Sequence, residues 1–79
     1  MSEYEDLCRF IAEHIVRDRE AVSVTAEPRG RNTVIELCVA EEDKGKIIGK
    51  GGRNIDALRA VVRAAGLRRH KRVQVELGG

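Results

Sequence analysis

One stretch of the sequence decides the fold: Lys44-Gly45-Lys46-Ile47-Ile48-Gly49-Lys50-Gly51-Gly52-Arg53-Asn54-Ile55. Four glycines and four cationic side chains fall within these twelve residues, and isoleucines stand on both sides of the loop 49–52. Because glycine has no Cβ, a backbone of this composition can come close to a bulky anion. The loop also leads into an apolar-periodic segment, and the N-terminus of a helix there would present free N–H groups to a phosphate. The pattern therefore predicts an anion-binding loop.

The length of the chain, 79 residues, is that of one small domain, so we predict a single domain over residues 1–79. A core of this size is too thin for a deep enzymatic cleft. No apolar run reaches the roughly 18 to 20 residues of a membrane span, and the first residues are acidic, unlike those of a signal peptide. These features predict a soluble cytoplasmic protein.

The charge is divided unequally along the chain. Residues 1–43 carry five basic and eleven acidic side chains, a net charge of −6, whereas residues 44–79 carry ten basic and two acidic side chains, a net charge of +8. The cationic half begins where the glycine-rich stretch begins. This asymmetry favours a polyanionic partner for the second half over an ordinary solvated surface with uneven charge.

The order of the elements follows from apolar periodicity and from turn residues. We predict helices over residues 4–17, 41–48 and 53–65 and strands over residues 21–27, 33–39 and 73–77. Ser2 and Glu5 have the spacing of a capping box, and Gly66 is expected to end the last helix. The resulting order, α-β-β-α-α-β, predicts an α+β two-layer sandwich with a three-stranded sheet and helices on one face.

Cysteines and aromatic residues are few. Cys8 and Cys38 have no partner at metal-ligand spacing, so we expect buried, reduced thiols, with no metal site and no cofactor. Tyr4 and Phe10 both fall in the first helix, and core packing is the expectation for both. No nucleophile and base stand together in the sequence, so we expect no enzymatic activity.

Two nucleotide-binding motifs fail on their spacing. A P-loop needs Ser or Thr after its lysine and one more residue between its glycines than Gly45 and Gly49 enclose. A dinucleotide fingerprint needs a third glycine where Asn54 stands. A plain connector between two helices remains as the simplest alternative, but it does not explain a loop that is cationic and lacks side chains at three of its four positions.

The segment Ile47-Ile48-Gly49-Lys50-Gly51-Gly52-Arg53-Asn54-Ile55 resembles the signature of the K-homology (KH) domain, in which Gly-x-x-Gly follows an isoleucine pair and precedes a further isoleucine. The element order is similar to that of the prokaryotic type II KH fold over nearly the whole chain. The length, the acidic first helix and the ending Lys71-Arg72-Val73-Gln74-Val75-Glu76-Leu77 are similar to the small stand-alone bacterial KH proteins of the KhpA group.

This resemblance implies a helix–GXXG–helix clamp that holds about four nucleotides of a single strand. Gly49, Gly51 and Gly52 would admit the RNA backbone, and Lys50 would meet a phosphate. Lys46 and Arg53 would do the same at the two ends of the loop. Ile48 and Ile55 would bracket the groove floor, although both are equally compatible with the core. The second strand would form the far wall, through Val34, Glu36 and Cys38 or through its opposite face. The auxiliary phosphate contacts, in a second basic cluster that is equally compatible with a solvated surface, would be Arg68, Arg69, Lys71 and Arg72.

The function expected from the resemblance is non-enzymatic binding of single-stranded RNA with low sequence specificity, as an RNA chaperone or post-transcriptional regulator. The alternative is a protein-interaction module that forms a homodimer, or a heterodimer with a larger KH protein, in control of the cell envelope, shape or division. Association with the ribosome and a preference for RNA over single-stranded DNA stay open.

Overall fold

The computed structural model describes residues 3–78, and its elements confirm the predicted α+β order. Short 3₁₀ turns join some of the elements, at Arg19–Ala21, Glu41–Asp43 and Lys50–Gly52. The helices and strands are α1 (Glu3–Glu13), β1 (Ser23–Arg29), β2 (Asn32–Cys38), α2 (Lys44–Ile48), α3 (Arg53–Arg68) and β3 (Arg72–Leu77).

The first helix is shorter than its apolar pattern predicts. It ends at Glu13, not at residue 17, because the backbone beyond it turns and the N–H groups of Arg17 and Asp18 bond to the side chain of Asp43. Val16 stays buried, although it lies outside the helix. The predicted capping residue Ser2 lies outside the described residues.

The expectation for the two aromatic residues is right for Tyr4 and wrong for Phe10. Tyr4 is buried, whereas Phe10 is 59% exposed and its ring lies against that of His14, with the ring centroids 4.3 Å apart. Helical spacing placed Phe10 next to the buried stripe of α1 but did not say how far that stripe extends around the helix.

The sheet has the order β1-β2-β3, so that β2 is the central strand. β1 and β2 are antiparallel and Arg29 pairs with Asn32, which leaves a two-residue turn of Gly30 and Arg31. Gly30 has a φ of 62°, a value that favours glycine. β3 lies parallel to β2, and α3 makes the connection that a parallel pair requires.

All the helices pack on one face of the sheet. The side chains of Ile35 and Leu37 point into that face and are fully buried among residues of α1 and α3. Burial of one such side chain stabilises the fold by about 1.5–3 kcal/mol. The core cluster consists of Tyr4, Cys8, Ala12, Val16, Val22, Val24, Ile35, Leu37, Ile47, Ile55, Leu58, Val62, Ala65, Val73 and Val75.

The two cysteines lie on opposite faces of the sheet. Cys8 is in the core, and this burial raises the pKa of its thiol to about 11, so the thiol stays protonated at neutral pH. Cys38 is only half-buried, because it follows Leu37 in the strand and points to the opposite face. The expectation of a buried thiol therefore holds for Cys8 alone.

The position of β2 also corrects the predicted groove wall. The side chains of Val34, Glu36 and Cys38 alternate with the core residues of this strand and so lie on the sheet face away from the helices. A central strand has no free edge. These three side chains therefore do not face the helices, whereas the opposite face of β2 carries the buried Ile35 and Leu37.

The helix α3 runs past the predicted end at Gly66 and continues to Arg68. Gly66 is buried against Val73 of β3, and a Cβ at this position would overlap Cγ2 of that valine. His70 instead adopts the left-handed conformation, with a φ of 59°, and the N–H of Lys71 bonds to the carbonyl of Gly66. Gly66 is thus small for packing, and it is His70 that ends the helix.

We predict that Gly66→Ala destabilises the protein by about 1–3 kcal/mol, the usual cost of overpacking, even though alanine favours helix by up to about 1 kcal/mol. Urea unfolding measures the change. Gly45→Ala is the control, because no atom lies within 4 Å of its Cβ, and it should be neutral or slightly stabilising. A Gly66→Ala variant as stable as wild type would show that Val73 moves aside freely.

Candidate nucleic-acid interface

The buried carboxylate of Asp43 fixes the start of α2. Its side chain is fully buried, and its two oxygens accept the backbone N–H groups of Asp18 at 3.0 Å and Arg17 at 3.2 Å. These bonds, that of Asp18 foremost, hold the pKa of Asp43 below its usual value despite the burial. The chain after α1 is thereby attached to the beginning of α2, 25 residues further on.

Lys46 lies near this carboxylate without being tightly held by it. Its Nζ is 4.0 Å from Oδ1 of Asp43, and the side chain is 49% exposed. Lys44 in contrast pairs closely with Glu41, at 2.9 Å. Lys46 is therefore the cation of α2 that can turn toward a ligand at little cost.

The three glycines of the loop have positive φ angles, and at Gly49 a side chain would also lack space. Gly49 has a φ of 75° and a ψ of 173°, a region essentially restricted to glycine, and a Cβ there would lie 2.7 Å from Cγ of Asn54. Gly51 has a φ of 66° with nothing within 4 Å of its Cβ position, and Gly52 has a φ of 79°. Gly49 is thus required for conformation and for space, whereas Gly51 leaves an open approach.

Asn54 connects the two helices across the loop and was missed as a functional residue in the sequence. Its Nδ2 donates to the carbonyl of Lys46 at 2.8 Å, so the first turn of α3 bonds to α2 just before its end. Asparagine commonly bonds to free backbone groups at helix ends. This tendency is the signal by which the sequence could have indicated the role of Asn54. The bond fixes the angle at which the loop is presented.

The N-terminus of α3 opens toward solvent at the loop. Its N-cap residue is Gly52, and no side chain caps it, so the first N–H groups of the helix lack side-chain acceptors. These groups and the helix dipole favour an anion at this position. Asp56 lies in the first turn, with Oδ1 3.9 Å from Arg59 and Oδ2 3.9 Å from the Cβ position of Gly52, so its exposed carboxylate also borders the loop.

Two cations flank this helix terminus without being neutralised. The side chains of Lys50 and Arg53 are exposed, and neither forms an ion pair or a hydrogen bond within the described range 3–78. The backbone N–H of Arg53 donates to the carbonyl of Lys50, so the N–H groups that remain for an anion are those after Arg53. The loop therefore presents two free positive charges beside an uncapped helix N-terminus, an arrangement suited to the phosphates of a polyanion.

The two isoleucines assigned to the groove floor have different positions. Ile48 is 41% exposed next to the fully buried Ile47, whereas Ile55 is only 6% exposed and belongs to the core. Ile48 can offer an apolar surface to a ligand beside the loop. Ile55 instead packs in the core and so holds the start of α3 against it.

In the second basic cluster, one of the four cations is held in an ion pair and three are not. Arg69 donates to Glu3 at 2.9 Å, and this bond holds the pKa of Glu3 below its usual value. The side chains of Arg68, Lys71 and Arg72 are exposed and pair with no residue in the described part of the chain. Three of the four predicted auxiliary cations are thus available.

Other kinds of site are not evident among residues 3–78. No three His, Cys, Asp or Glu side chains in this range are grouped to hold a metal ion. None of the helices in it is long and apolar enough to cross a membrane.

Similarity to known proteins assigns the chain to a family. The family model for the KH domain of KhpA/KhpB matches residues 5–77. The chain belongs to this family. Among curated KhpA/KhpB relatives, the RNA-binding protein KhpA of Caldanaerobacter subterraneus subsp. tengcongensis is 44% identical over 91% of this chain and 96% of the relative. Proteins of the same name are 38% identical in Aquifex aeolicus, over 98% of both chains, and 37% identical in Bacillus subtilis, over 92% of this chain and 90% of the relative.

Solved structures with the same fold confirm the type II KH architecture predicted for this KhpA/KhpB family member. Era in complex with MgGDPNP and nucleotides 1506–1542 of 16S ribosomal RNA matches 94% of this chain with a TM-score of 0.64 and 23% identity. The match spans 28% of the Era chain. A structure of Era from Aquifex aeolicus matches with a TM-score of 0.62.

We predict that Asp43→Asn lowers thermal stability at neutral pH, because an amide can accept only one of the two N–H groups at this place. Since folding depresses the pKa of Asp43 below its usual 3.8, the carboxylate stabilises the fold above that value and loses this contribution as the pH falls through the folded pKa. Melting temperatures from pH 7 to pH 2 should therefore converge between the variant and wild type at the acid end.

Glu3→Gln is the control for this pH dependence. The pKa of Glu3 is also depressed, by Arg69, but the pair is exposed, so its removal should change the melting temperature less. A constant difference between Asp43→Asn and wild type across the whole pH range would contradict the role given to the carboxylate.

Proposed function

We propose that this protein binds single-stranded RNA, with the loop 49–52 and the adjoining ends of α2 and α3 holding the sugar-phosphate backbone. The observation that carries the proposal is the pair of free cations, Lys50 and Arg53, at an uncapped helix N-terminus beside an open glycine loop. The relatives named RNA-binding protein KhpA and the rRNA-containing Era structure support RNA as the polyanion. In the loop, Gly49, Gly51 and Gly52 admit the backbone, and Lys46 adds a mobile charge.

Low sequence specificity follows from the side chains around the loop. Recognition of single-stranded bases commonly uses aromatic stacking, but Tyr4 is buried and Phe10 lies on α1 against His14. Ile48 offers an apolar contact that any base can use. The protein would therefore act broadly in the cytoplasm, as an RNA chaperone or post-transcriptional regulator, and ribosomal RNA is one suitable target.

The proposed role is non-enzymatic. In the described range, the groups with clearly shifted pKa values are Glu3, Cys8 and Asp43. Each shift has a structural cause, respectively an ion pair with Arg69, burial in the core and bonds to backbone N–H groups. None of the three side chains belongs to the open face of the loop, so the loop is equipped for holding a ligand and not for proton transfer.

The test of RNA binding is the double variant Lys50→Asp/Gly51→Asp. We expect affinity for a four-nucleotide single-stranded RNA to fall at least about tenfold, because a phosphate contact is replaced by repulsion. Fluorescence anisotropy measures the change. The fold should persist, since nothing lies within 4 Å of a Cβ at Gly51 and aspartate tolerates left-handed φ better than most residues.

The chain offers a matched control in Gly30→Asp/Arg31→Asp. Gly30 also has a positive φ, 62°, with nothing within 4 Å of its Cβ position, and the exposed Arg31 follows it. This variant makes the same change in charge in the β1–β2 turn and should bind the tetranucleotide as wild type does. Equal affinity of the two double variants would reject the loop as the RNA site. The same titration with single-stranded DNA tests the choice of RNA.

A second candidate function, assembly with another KH chain, is favoured by the outer surface of α3. Its exposed positions 57, 60, 61 and 64 carry Ala57, Ala60, Val61 and Ala64, the spacing of one helix face. Val61 is 45% exposed and borders an apolar groove of about 140 Å³ between α1 and α3. Small side chains allow another helix to approach closely, so this face suits a second copy of the chain or the KH domain of a larger protein.

Asn54 relates the two candidate functions to each other. It lines the groove between α1 and α3 and also bonds to the carbonyl of Lys46 across the loop. A second subunit in the groove would therefore touch the residue that sets the angle of the loop while leaving Lys50 and Arg53 open. Assembly is expected to accompany RNA binding and not to replace it.

We predict that Val61→Glu raises the dissociation constant of a homodimer at least about tenfold, because a charge would be buried in an apolar contact. Sedimentation velocity over a concentration series measures the change. Ser23→Glu adds the same charge on the face of the sheet away from the helices and should leave assembly unchanged. Wild-type protein that stays monomeric at every concentration would count against self-assembly.

A further inference from the structure

A cavity lies at the end of α3 that is remote from the glycine loop. It has a volume of about 320 Å³ and is lined by Asn32, Arg63, Leu67, Arg72, Val73 and Gln74. Asn32 and Arg72 are paired across β2 and β3, while Arg63 and Leu67 come from α3. Because β3 is at the edge of the sheet, the cavity is open along that strand. Its volume is at the lower end of that of small-molecule sites.

The guanidinium groups of the two arginines that line the cavity make no side-chain contact that stabilises the fold. Arg59, one turn before Arg63, donates to the carbonyl of Val75 at 3.1 Å and lies 3.9 Å from Asp56. The guanidinium groups of Arg63 and Arg72 in contrast form no hydrogen bond or ion pair with any residue from 3 to 78. Two unneutralised guanidinium groups beside one cavity are suited to a phosphate, which arginine can bind through paired N–H donors.

The remaining lining is suited to a nucleobase and not to a bare phosphate. Leu67 is 57% exposed and offers an apolar surface to the face of a base. Asn32 and Gln74 also carry amides, which both donate and accept hydrogen bonds. Gln74 lies between two buried valines of β3 and pairs with Val34, so these amides border the cavity from the sheet face away from the helices, opposite to Leu67. These amides also make no hydrogen bond within the described residues. An inorganic anion would use the arginines but neither the amides nor the leucine.

We propose that this cavity binds one nucleotide of the same single strand that the glycine loop holds, with its phosphate at Arg63 and Arg72 and its base against Leu67. The inference rests on the proposed RNA binding and extends it beyond the loop. Arg63 follows Arg53 by ten residues in α3, or about 15 Å along the helix axis, so a strand that fills both places is longer than the four nucleotides of the loop.

The experiment compares oligo(A) and oligo(U) of four and twelve nucleotides. Wild type should bind the twelve-nucleotide RNA more tightly. Arg63→Gln should bind the four-nucleotide RNA as wild type does. Arg63→Gln and Arg72→Gln, made separately, should each lose roughly fivefold or more in affinity for the longer RNA. Each should also reduce the slope of log affinity against log salt by about 0.7, the value for one phosphate contact with a single strand.

Two further variants complete the design. Arg19→Gln removes one exposed charge from the α1–β1 connection and should behave as wild type at both lengths. Leu67→Ser should weaken binding of the longer RNA without changing the salt slope, because it removes a base contact and no charge.

The outcomes separate this inference from the function on which it rests. If Arg63→Gln and Arg72→Gln bind the twelve-nucleotide RNA as tightly as Arg19→Gln does, the cavity is not a nucleotide site, while binding of the four-nucleotide RNA by wild type upholds the proposed function. If Leu67→Ser has no effect, the arginines act as surface charge and the proposed base contact is overturned. If wild type binds neither RNA, both the proposed function and this inference fail.

Discussion

The bonds from the backbone N–H groups of Arg17 and Asp18 to the carboxylate of Asp43 determine where the glycine loop is placed. They attach the connection after α1 to the start of α2, a helix of only five residues in which Ile47 is the one buried side chain. Asn54 then bonds the last part of α2 to α3. A short helix fixed at both ends presents the loop rigidly, and this matters for a ligand because a preorganised site loses less entropy on binding.

The cations of the second half of the chain divide into those that serve the fold and those that remain free. Arg59 bonds to the edge of β3 and Arg69 to Glu3. The cations whose side chains form no hydrogen bond and no close ion pair among residues 3–78 are Lys50, Arg53, Arg63, Arg68, Lys71 and Arg72. They lie in the glycine loop, along α3, in the connection after it and at the start of β3. The positive surface is therefore elongated and is not confined to one point.

The helix α3 provides three surfaces at once. Leu58 and Val62 are in the core, Gly66 allows close contact with β3, and the small side chains at positions 57, 60, 61 and 64 remain exposed. Under the functions proposed above, α3 would combine a ligand site at its N-terminus with a protein contact on its outer face. Neither use requires the core to change.

The order of the elements, the α+β class and the glycine loop could be predicted from the sequence, because periodicity and turn chemistry act between near neighbours in the chain. The same local signals wrongly placed Phe10 in the core. They also predicted that Gly66 ends the last helix, because a local pattern cannot show that Val73 packs on that glycine. The roles of Asp43 and Asn54, and the separation of paired from free cations, were decided only by the tertiary structure. Glu3 and Arg69 meet across 66 residues of chain, and a contact of that range leaves no mark in the pattern around either residue.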